Sequence, residues 1–489
     1  MKKKAAFLAL VCAALGLLIA STSSPLYATN FWTDTNIYFT IGRGMTGGLM
    51  PYRDLFDHKG PLLFLIYAAG ALISSSSFLG VYLLEVLSLA AALYFGWKIV
   101  CLYGEGDLTL VSIPILAAVT LCSKAFTQGG SAEEFVLPAL LFGLYAALCR
   151  MRGGENRLLD VFFGAAVSWV FLIKYTDCGL FFGLGFFLAL YVLCTNGVKE
   201  MFLTILRMAA GFAVPIALVA VYLALNGALK DCIDVYFMQN LFEYSGEPMT
   251  FGGHIYNALA YLRTQSMANP VVAALAIGGC LFVLTEALVR WKNGFAALAV
   301  PVSAGLLLLF CYWGEMAHPY YALVFAALCP LSLCPLGILA ERLPVGRAMA
   351  WAAAAALVPV CLGLCQAVPL LKVKKEDMPQ TKFAEIMAQE ENPTLLDLTS
   401  LDQGFYLAAG IVPNCRYFAD NNLQTEEKKN AIASYLDEGR VEFVVTRYKE
   451  PGEGYTQIAE ADGVFDLNDK RTYKLCKKAE QQTEPTEQK

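Results

Sequence analysis

The sequence predicts an all-α polytopic membrane domain of about eleven transmembrane helices, followed by a small C-terminal α/β soluble domain. Three observations carry this reading. Only 16% of the 489 residues are charged, where a soluble globular protein is nearer a quarter, and the mean hydropathy is +0.53. The apolar residues are clumped, and runs such as FLTILRMAAGFAVPIALVAVYLAL reach the ~20 residues a helix needs to cross ~30 Å of hydrocarbon. That texture ends at VKKEDMPQTK, where the tail begins. Only helices and closed barrels satisfy every backbone polar group inside a bilayer. The runs are continuous rather than alternating, so the spans are helices.

The candidate spans are 5–22, 78–101, 108–124, 135–149, 158–173, 178–195, 201–226, 269–288, 295–312, 320–340 and 348–371. The first, in MKKKAAFLALVCAALGLLIA, reads as an uncleaved helix in preference to a signal peptide ending at SPLYA. Either way Lys2, Lys3 and Lys4 stay in the cytoplasm and residue 25 onward lies outside. The loops this places inside hold Arg150, Arg152 and Arg157, then Lys199, then Arg290 and Lys292, then Arg342 and Arg347. Basic residues of the longer outer loops are mostly scattered singly, so the charge bias agrees with the alternation. The inner loop YGEGD carries no basic residue and adds no support.

An odd number of spans leaves the tail outside. The expected organisation is a membrane domain over 1–371 and an extracytoplasmic α/β domain over 372–489, in a multi-pass protein of the bacterial plasma membrane. In the tail, TLLDL, RYFA and EFVVTR read as buried strands, and KFAEIMAQ and TEEKKNAIASYLDEG as helices. The end, KKAEQQTEPTEQK, is polar enough to be disordered.

The net charge of −5 and the lack of a basic stripe argue against a nucleic-acid partner. Most of the fifteen cysteines lie in apolar runs, Cys101, Cys280, Cys311 and Cys361 among them, where a free thiol behaves as a small hydrophobe. No pair has zinc spacing in a polar loop. Cys415 and Cys476 both fall in the tail, where a disulfide between them is one option.

The topology sorts the unusual polar residues. Asp34, Arg53, Asp54, Asp57, His58, Lys59, Glu133, Glu134, Lys174, Asp177, Glu315 and His318 all fall on the outer side, as does the remaining histidine, His254. Loops are where charges ordinarily go, and that accounts for most of these one at a time. It accounts less well for PYRDLFDHKGPLLFLIY, where acids and bases are set against an apolar helix that opens on Pro. Upstream, TDTNIYFTIGRGM repeats Ile37, Ile41 and Met45 on one face and Asp34, Tyr38 and Gly42 on the next. This pattern predicts an interfacial amphipathic helix with Asp34 near its N-terminus, either as a plain cap or as a functional group. Gly42, Gly44 and Gly47 fit GxGxxG, but no strand precedes them and no βαβ unit surrounds them, so a dinucleotide site is rejected.

With an Asp in the first outer loop, GLMPYRDLFDHKGPLLF is similar to the bacterial GT-C glycosyltransferases, a superfamily that includes protein O-mannosyltransferases and lipid A aminoarabinose transferases. GGSAEEFVLPALLFGLYAAL resembles the acidic second outer loop of that superfamily, and GEMAHPYYALVFAALCPL its late His-aromatic loop. The order, spacing and sidedness of the three stretches cover most of residues 1–340. The resemblance implies a sugar donor on a polyprenyl phosphate, used at the outer membrane face, with an acidic first-loop residue as base and a basic loop-end residue on the donor phosphate. Those roles match Asp34 and Lys59. The chain departs from the common pattern at Gly60, where a Pro often stands, and at TDTN, where many members carry two adjacent acids.

The chemistry suits these residue types. A phosphate leaving group needs positive charge, which Lys59, Arg53 or Lys174 would supply. An acceptor hydroxyl, on a lipid, a glycan or a protein, needs a carboxylate base. A divalent cation, Mg or Mn, held by Asp57, Glu133 or Glu134, would share this work, unless the chain acts without a metal. Tyr38, His58 and His318 complete the candidate set as substrate contacts. The competing reading is a lipid-linked sugar or polysaccharide transporter, which would place ionisable groups at the midplane in broken, repeat-related helices. Here the charges gather at one face and no internal repeat stands out, which favours an interfacial enzyme. A scaffold with an active tail finds no support, since Asp397, Asp402 and Asp420 read as loop and cap residues.

Overall fold

The apolar runs become helices in the computed structural model of the chain, which describes residues 1–243, 249–314, 318–343, 346–420, 423–466 and 469–479. In order they are α1 (Lys2–Ala20), α2 (Thr33–Thr46), α3 (Pro61–Ile73), α4 (Leu79–Val100), α5 (Ser112–Leu121), α6 (Ala132–Met151), α7 (Leu158–Lys174), α8 (Gly179–Asn196) and α9 (Val198–Leu225). They continue with α10 (Phe251–Ala268), α11 (Pro270–Val289), α12 (Gly294–Cys311), α13 (Pro319–Ala340, opening as a 3-10 helix) and α14 (Arg347–Leu364). Nine apolar helical stretches among the described residues are long enough to cross a membrane. One of them, Leu158–Asn196, has 39 residues, about twice what a crossing needs, and breaks at the 3-10 turn Tyr175–Cys178 into α7 and α8. Its two halves, and the shorter apolar stretch Asp107–Leu121, fall on the remaining spans that the sequence predicts.

Small residues let the crossings approach backbone to backbone. A Cβ at Gly164 of α7 would lie 1.9 Å from Met208 O of α9, and one at Gly211 of α9 would lie 1.8 Å from Val161 O of α7. At one end of the bundle three arginines are paired with two acids. Arg150 and Arg207 share Asp160, and Arg207 and Arg157 share Glu200.

The opposite end carries α2, α3 and the C-terminal domain. Here α2 departs from the interfacial helix its pattern predicts. Thr33 and every residue from Thr35 to Gly44 are buried. One side packs so closely on α3 that a Cβ at Gly42 would meet Tyr67 C at 2.6 Å. The other side is gripped by the C-terminal domain. Thr40 Oγ1 donates to Asp402 Oδ2 at 2.6 Å, and Arg43 Nη1 donates to the carbonyls of Tyr406 (3.2 Å) and Ile411 (3.4 Å). The apolar and polar faces of α2 therefore address two protein surfaces rather than lipid and water.

The C-terminal domain comprises α15 (Pro379–Met387), β1 (Leu395–Asp397), α16 (Phe405–Ala409), α17 (Glu426–Asp437), β2 (Phe443–Thr446), β3 (Tyr455–Asp466) and β4 (Asp469–Lys478). The sheet order is β1-β2-β4-β3, with β1 parallel to β2 and the other pairs antiparallel. The sequence places β1, β2, α15 and α17 correctly. RYFA is not a strand: the chain there forms only single bridges, Asp397 to Ala419 and Leu401 to Asp420. The hairpin β3–β4 is unanticipated, and it takes in Lys477 and Lys478 from the stretch expected to be disordered. Residues 480–489 of that stretch lie outside the described residues. Cys415 and Cys476 are both free and buried, so the optional disulfide is not formed.

Burial of Asp402 pushes its carboxyl up to about 6, against the pull of the Thr40 hydroxyl, the Gly404 N–H and the Arg43 charge. An acid whose folded pKa exceeds its unfolded ~3.9 holds its proton more tightly when folded, so its contribution to stability falls as pH rises from about 4 to about 6. Asp402→Asn should flatten the pH dependence of stability across that window. Hydrogen exchange of α2 and of residues 397–410 measures it; an unchanged slope would show that Asp402 does not govern the docking.

Candidate active site

The loop before α3 is built to present Lys59. Tyr52 takes a left-handed φ of 70°, an uncommon conformation for a bulky residue. Its side chain is fully buried, and its hydroxyl donates to Lys59 O at 2.7 Å. Gly60 N donates to Ile173 O at 3.1 Å. A Cβ at Gly60 would lie 2.1 Å from Leu172 O. Proline has a Cβ and no N–H, so in this chain the end of α7 requires glycine where the GT-C pattern often has proline. The C-terminal domain holds the same loop from its other side. Arg416 Nε donates to Tyr52 O, Phe56 N donates to Arg416 O, both at 2.9 Å, and Phe56 packs on Tyr417 with ring centroids 4.9 Å apart.

The two acids of GGSAEE go separate ways. Ser131 Oγ accepts from Glu134 N at 3.1 Å, while Glu134 Oε1 accepts from Ser131 N at 2.9 Å. This is a capping box at the start of α6, and S-x-x-E is its signature. Glu133 turns the other way and meets Lys174 Nζ at 2.5 Å. Lys174, the last residue of α7, also lies 3.8 Å from Asp177 Oδ1 and 3.4 Å from the centroid of the Tyr321 ring. All three charged side chains are nearly or fully buried.

Asp34 does not cap α2. The N-cap is Trp32, and Asp34 sits in the first helical turn, half-buried, where its Oδ2 accepts from Tyr320 Oη at 3.0 Å. The Tyr320 ring stacks on His318, with centroids 5.3 Å apart at 9°, and lies edge-on to Trp32 at 4.9 Å. Tyr38, one turn after Asp34, is buried against Phe64 and Tyr67. Asp57 is buried beside the Lys59 backbone, with His58 Nδ1 3.6 Å from its Oδ1. Burial pushes the Asp57 carboxyl up to about 6; the Lys59 charge pulls it down and the Asp34 charge pushes it up. Burial, reinforced by the Lys59 charge, lowers both His58 and His318, which keeps their imidazoles neutral.

Asp34, Asp57, His58, Lys59, Glu133, Lys174 and His318 thus share one electrostatic neighbourhood, with Tyr38 buried beside its carboxylates. Arg53 and Glu134 do not join it. Arg53 is exposed and bound to Asp54 (2.6 Å) and Asn226 O (2.5 Å). Tyr320 and Tyr321, which hold Asp34 and underlie Lys174, are additions to the candidate set; the aromatic pair after His318 was their only sequence signal. Glu315 lies outside the described residues. Asp57 Oδ2, Glu133 Oε2 and Asp177 Oδ2 are buried with no hydrogen-bond partner among the described residues, so oxygen donors are present. Those carboxylates do not bring three ligand atoms together, whereas Cys122, Cys361 and Cys365 do. A cavity of about 470 Å³ at the other end of the bundle, lined by Arg152, Tyr191 and Trp291, is separate from this site.

No family model matches the sequence, and no curated protein matches it. Solved structures do. The apo structure of ArnT from Cupriavidus metallidurans aligns with a TM-score of 0.64 over 95% of this chain and 97% of that one, at 12% identity. The structure of the same protein bound to undecaprenyl phosphate aligns with a TM-score of 0.61 over the same shares, at 14% identity. The chain has the ArnT fold. The alignment runs through the membrane helices and the C-terminal domain alike, since it leaves only about a twentieth of the chain uncovered.

Removing one partner of a buried ion pair typically costs ~3–5 kcal/mol, because the other charge is left uncompensated, whereas an exposed pair is worth ~0–1 kcal/mol. Lys174→Ala should therefore destabilise the membrane domain strongly and Arg53→Ala hardly at all. Thermal unfolding of both variants in detergent tests this. Equal melting temperatures for Lys174→Ala and wild type would show that Lys174 is not a structural charge.

Proposed function

We propose that the chain is a membrane glycosyltransferase that moves a sugar from a polyprenyl-phosphate donor to an acceptor hydroxyl, with the site at the outer face of the plasma membrane. One observation carries this: in the ArnT fold, a half-buried carboxylate, Asp34, and a lysine, Lys59, belong to one polar neighbourhood at the end of the helix bundle. A solved protein of that fold binds undecaprenyl phosphate. The candidate residues gather at one end of the bundle, which also favours an interfacial enzyme over a transporter with its site at the midplane.

In this reading Asp34 takes the proton from the acceptor hydroxyl, held in orientation by Tyr320. The acceptor oxygen bonds to the anomeric carbon as the bond from that carbon to the phosphate oxygen breaks. The departing phosphate gains negative charge, and Lys59 meets it. Lys174 is already engaged by Glu133 and Asp177, so its part is to set the field and anchor the floor of the site. Arg53, outside the cluster, has no part in the step. Should Mg or Mn take part, Asp57 and Glu133 are the carboxylates that would hold it, supplying further positive charge to the phosphate. The acceptor is a lipid, a glycan or a protein.

Asp34→Asn preserves size and can still accept from Tyr320, but cannot take a proton. It should lower turnover ~10²–10⁴-fold, the usual loss of a general base, while donor binding survives. Lys59→Ala should weaken donor binding as well as turnover, because a phosphate contact acts in both ground and transition states. Transfer from a labelled polyprenyl-phosphate sugar, measured beside donor binding in one membrane preparation, separates the two. Near-normal turnover in Asp34→Asn would remove it from the mechanism.

The sidedness is tested independently. The C-terminal domain packs on the end of the bundle that holds the site, so a reporter fused after Lys489 should be active only outside the cytoplasm. Strong activity of a cytoplasm-only reporter there would invert the proposed topology.

A further inference from the structure

Three cysteines, an i, i+4 pair and one far earlier in the sequence, meet where α5 and α14 end side by side. Cys122 is the C-cap of α5. Cys361 and Cys365 lie four residues apart near the end of α14, which places them on one helix face. The three Sγ atoms all lie within 4.8 Å of one another, and those of Cys122 and Cys365 are 3.8 Å apart. Two thiolates on one zinc ion, each at ~2.3 Å in tetrahedral geometry, also lie about 3.8 Å apart. Ordinary packing explains the apolar thiols elsewhere, such as Cys280 and Cys329, but it does not require three sulfur atoms to converge. A disulfide would use two of them and leave the third beside it without a role.

We propose that Cys122, Cys361 and Cys365 form a thiolate site for one thiophilic metal ion, zinc being the common ion of that class. Each thiol that coordinates gives up its proton to solvent, so binding is accompanied by the release of up to one proton per cysteine. Cys361 and Cys365 are buried while Cys122 is half-buried, which gives the ion an entry path and leaves a fourth position for water.

The site would act as a staple. From Cys122 the chain runs into the loop that carries Gly129 and Gly130, whose carbonyls accept from Thr35 and Tyr67, and on to the Ser131 cap that orients Glu133. From Cys365 the chain runs toward the C-terminal domain, and Gln366 already reaches the carbonyls of Lys124 (3.1 Å) and Phe126 (3.4 Å). An ion at the three thiols would fix both segments together at the end of the bundle that holds the candidate active site.

The test uses the full chain, purified reduced in detergent and titrated with Cd²⁺ and with Zn²⁺. Wild type should bind one Cd²⁺ with a thiolate-to-metal charge-transfer band, and Zn²⁺ should protect Cys122, Cys361 and Cys365 together from alkylation, read by mass spectrometry. Cys361→Ser and Cys365→Ser should each lose the band, and Cys194→Ser, an exposed cysteine elsewhere, should keep it. An equal band in wild type and Cys365→Ser would overturn the proposal. So would a Cys122–Cys365 disulfide in protein isolated without reductant.

Discussion

A charge at the end of an apolar helix has to be met by its opposite, and Lys174 is met twice. Glu133 comes from the start of α6 and Asp177 from the turn that breaks α7 from α8, while Tyr321 from α13 lies beneath the ammonium. One side chain therefore joins four parts of the bundle at one point. The loop that carries Lys59 rests on the same spot, because Gly60 is hydrogen-bonded to Ile173, the residue before Lys174. Were the Lys174 cluster to open, the end of α7 would lose its anchor, and with it the surface against which the Lys59 loop is set.

The second constraint is the roof. The bundle holds α2 and the Lys59 loop from one side only, α2 through α3 and the loop through Ile173, and Tyr52 in that loop is strained. The C-terminal domain supplies the missing contacts through Asp402 on Thr40, two carbonyls on Arg43, and Arg416 on the Tyr52 carbonyl. Its buried acids and its loops thus serve the site by fixing the elements that present Asp34 and Lys59. That explains a tail without a catalytic constellation of its own.

The sequence was most legible where one physical rule acts alone. Continuous apolar runs of bilayer length led to the long apolar helices, because nothing competes with backbone satisfaction inside lipid. Where two partners share an element, the pattern misled. α2 is amphipathic because it faces both α3 and the C-terminal domain, and from residues alone that looks the same as facing lipid and water. The β3–β4 hairpin escaped notice because its strands carry many charges, Lys470 to Lys478 above all. Glu134, a candidate carboxylate in the sequence, forms a capping box with Ser131 three residues earlier, and Arg53, a candidate phosphate contact, is bound to its neighbour Asp54. No spacing rule could have found Tyr320 on Asp34, a contact across 286 residues, or the cysteines of α5 and α14, which become neighbours only through folding.

The central claim is that Asp34 and Lys59 bracket the reacting bond of a polyprenyl-phosphate sugar. The most direct measurement is a cryo-electron microscopy structure of the chain with undecaprenyl phosphate bound. The account predicts the phosphate within ~3 Å of Lys59 Nζ, at the end of the bundle that holds Asp34, with the Asp34 carboxylate facing the space where the sugar would sit. A phosphate bound at the midplane, or in the cavity beside Arg152 and Trp291 at the other end, would contradict it.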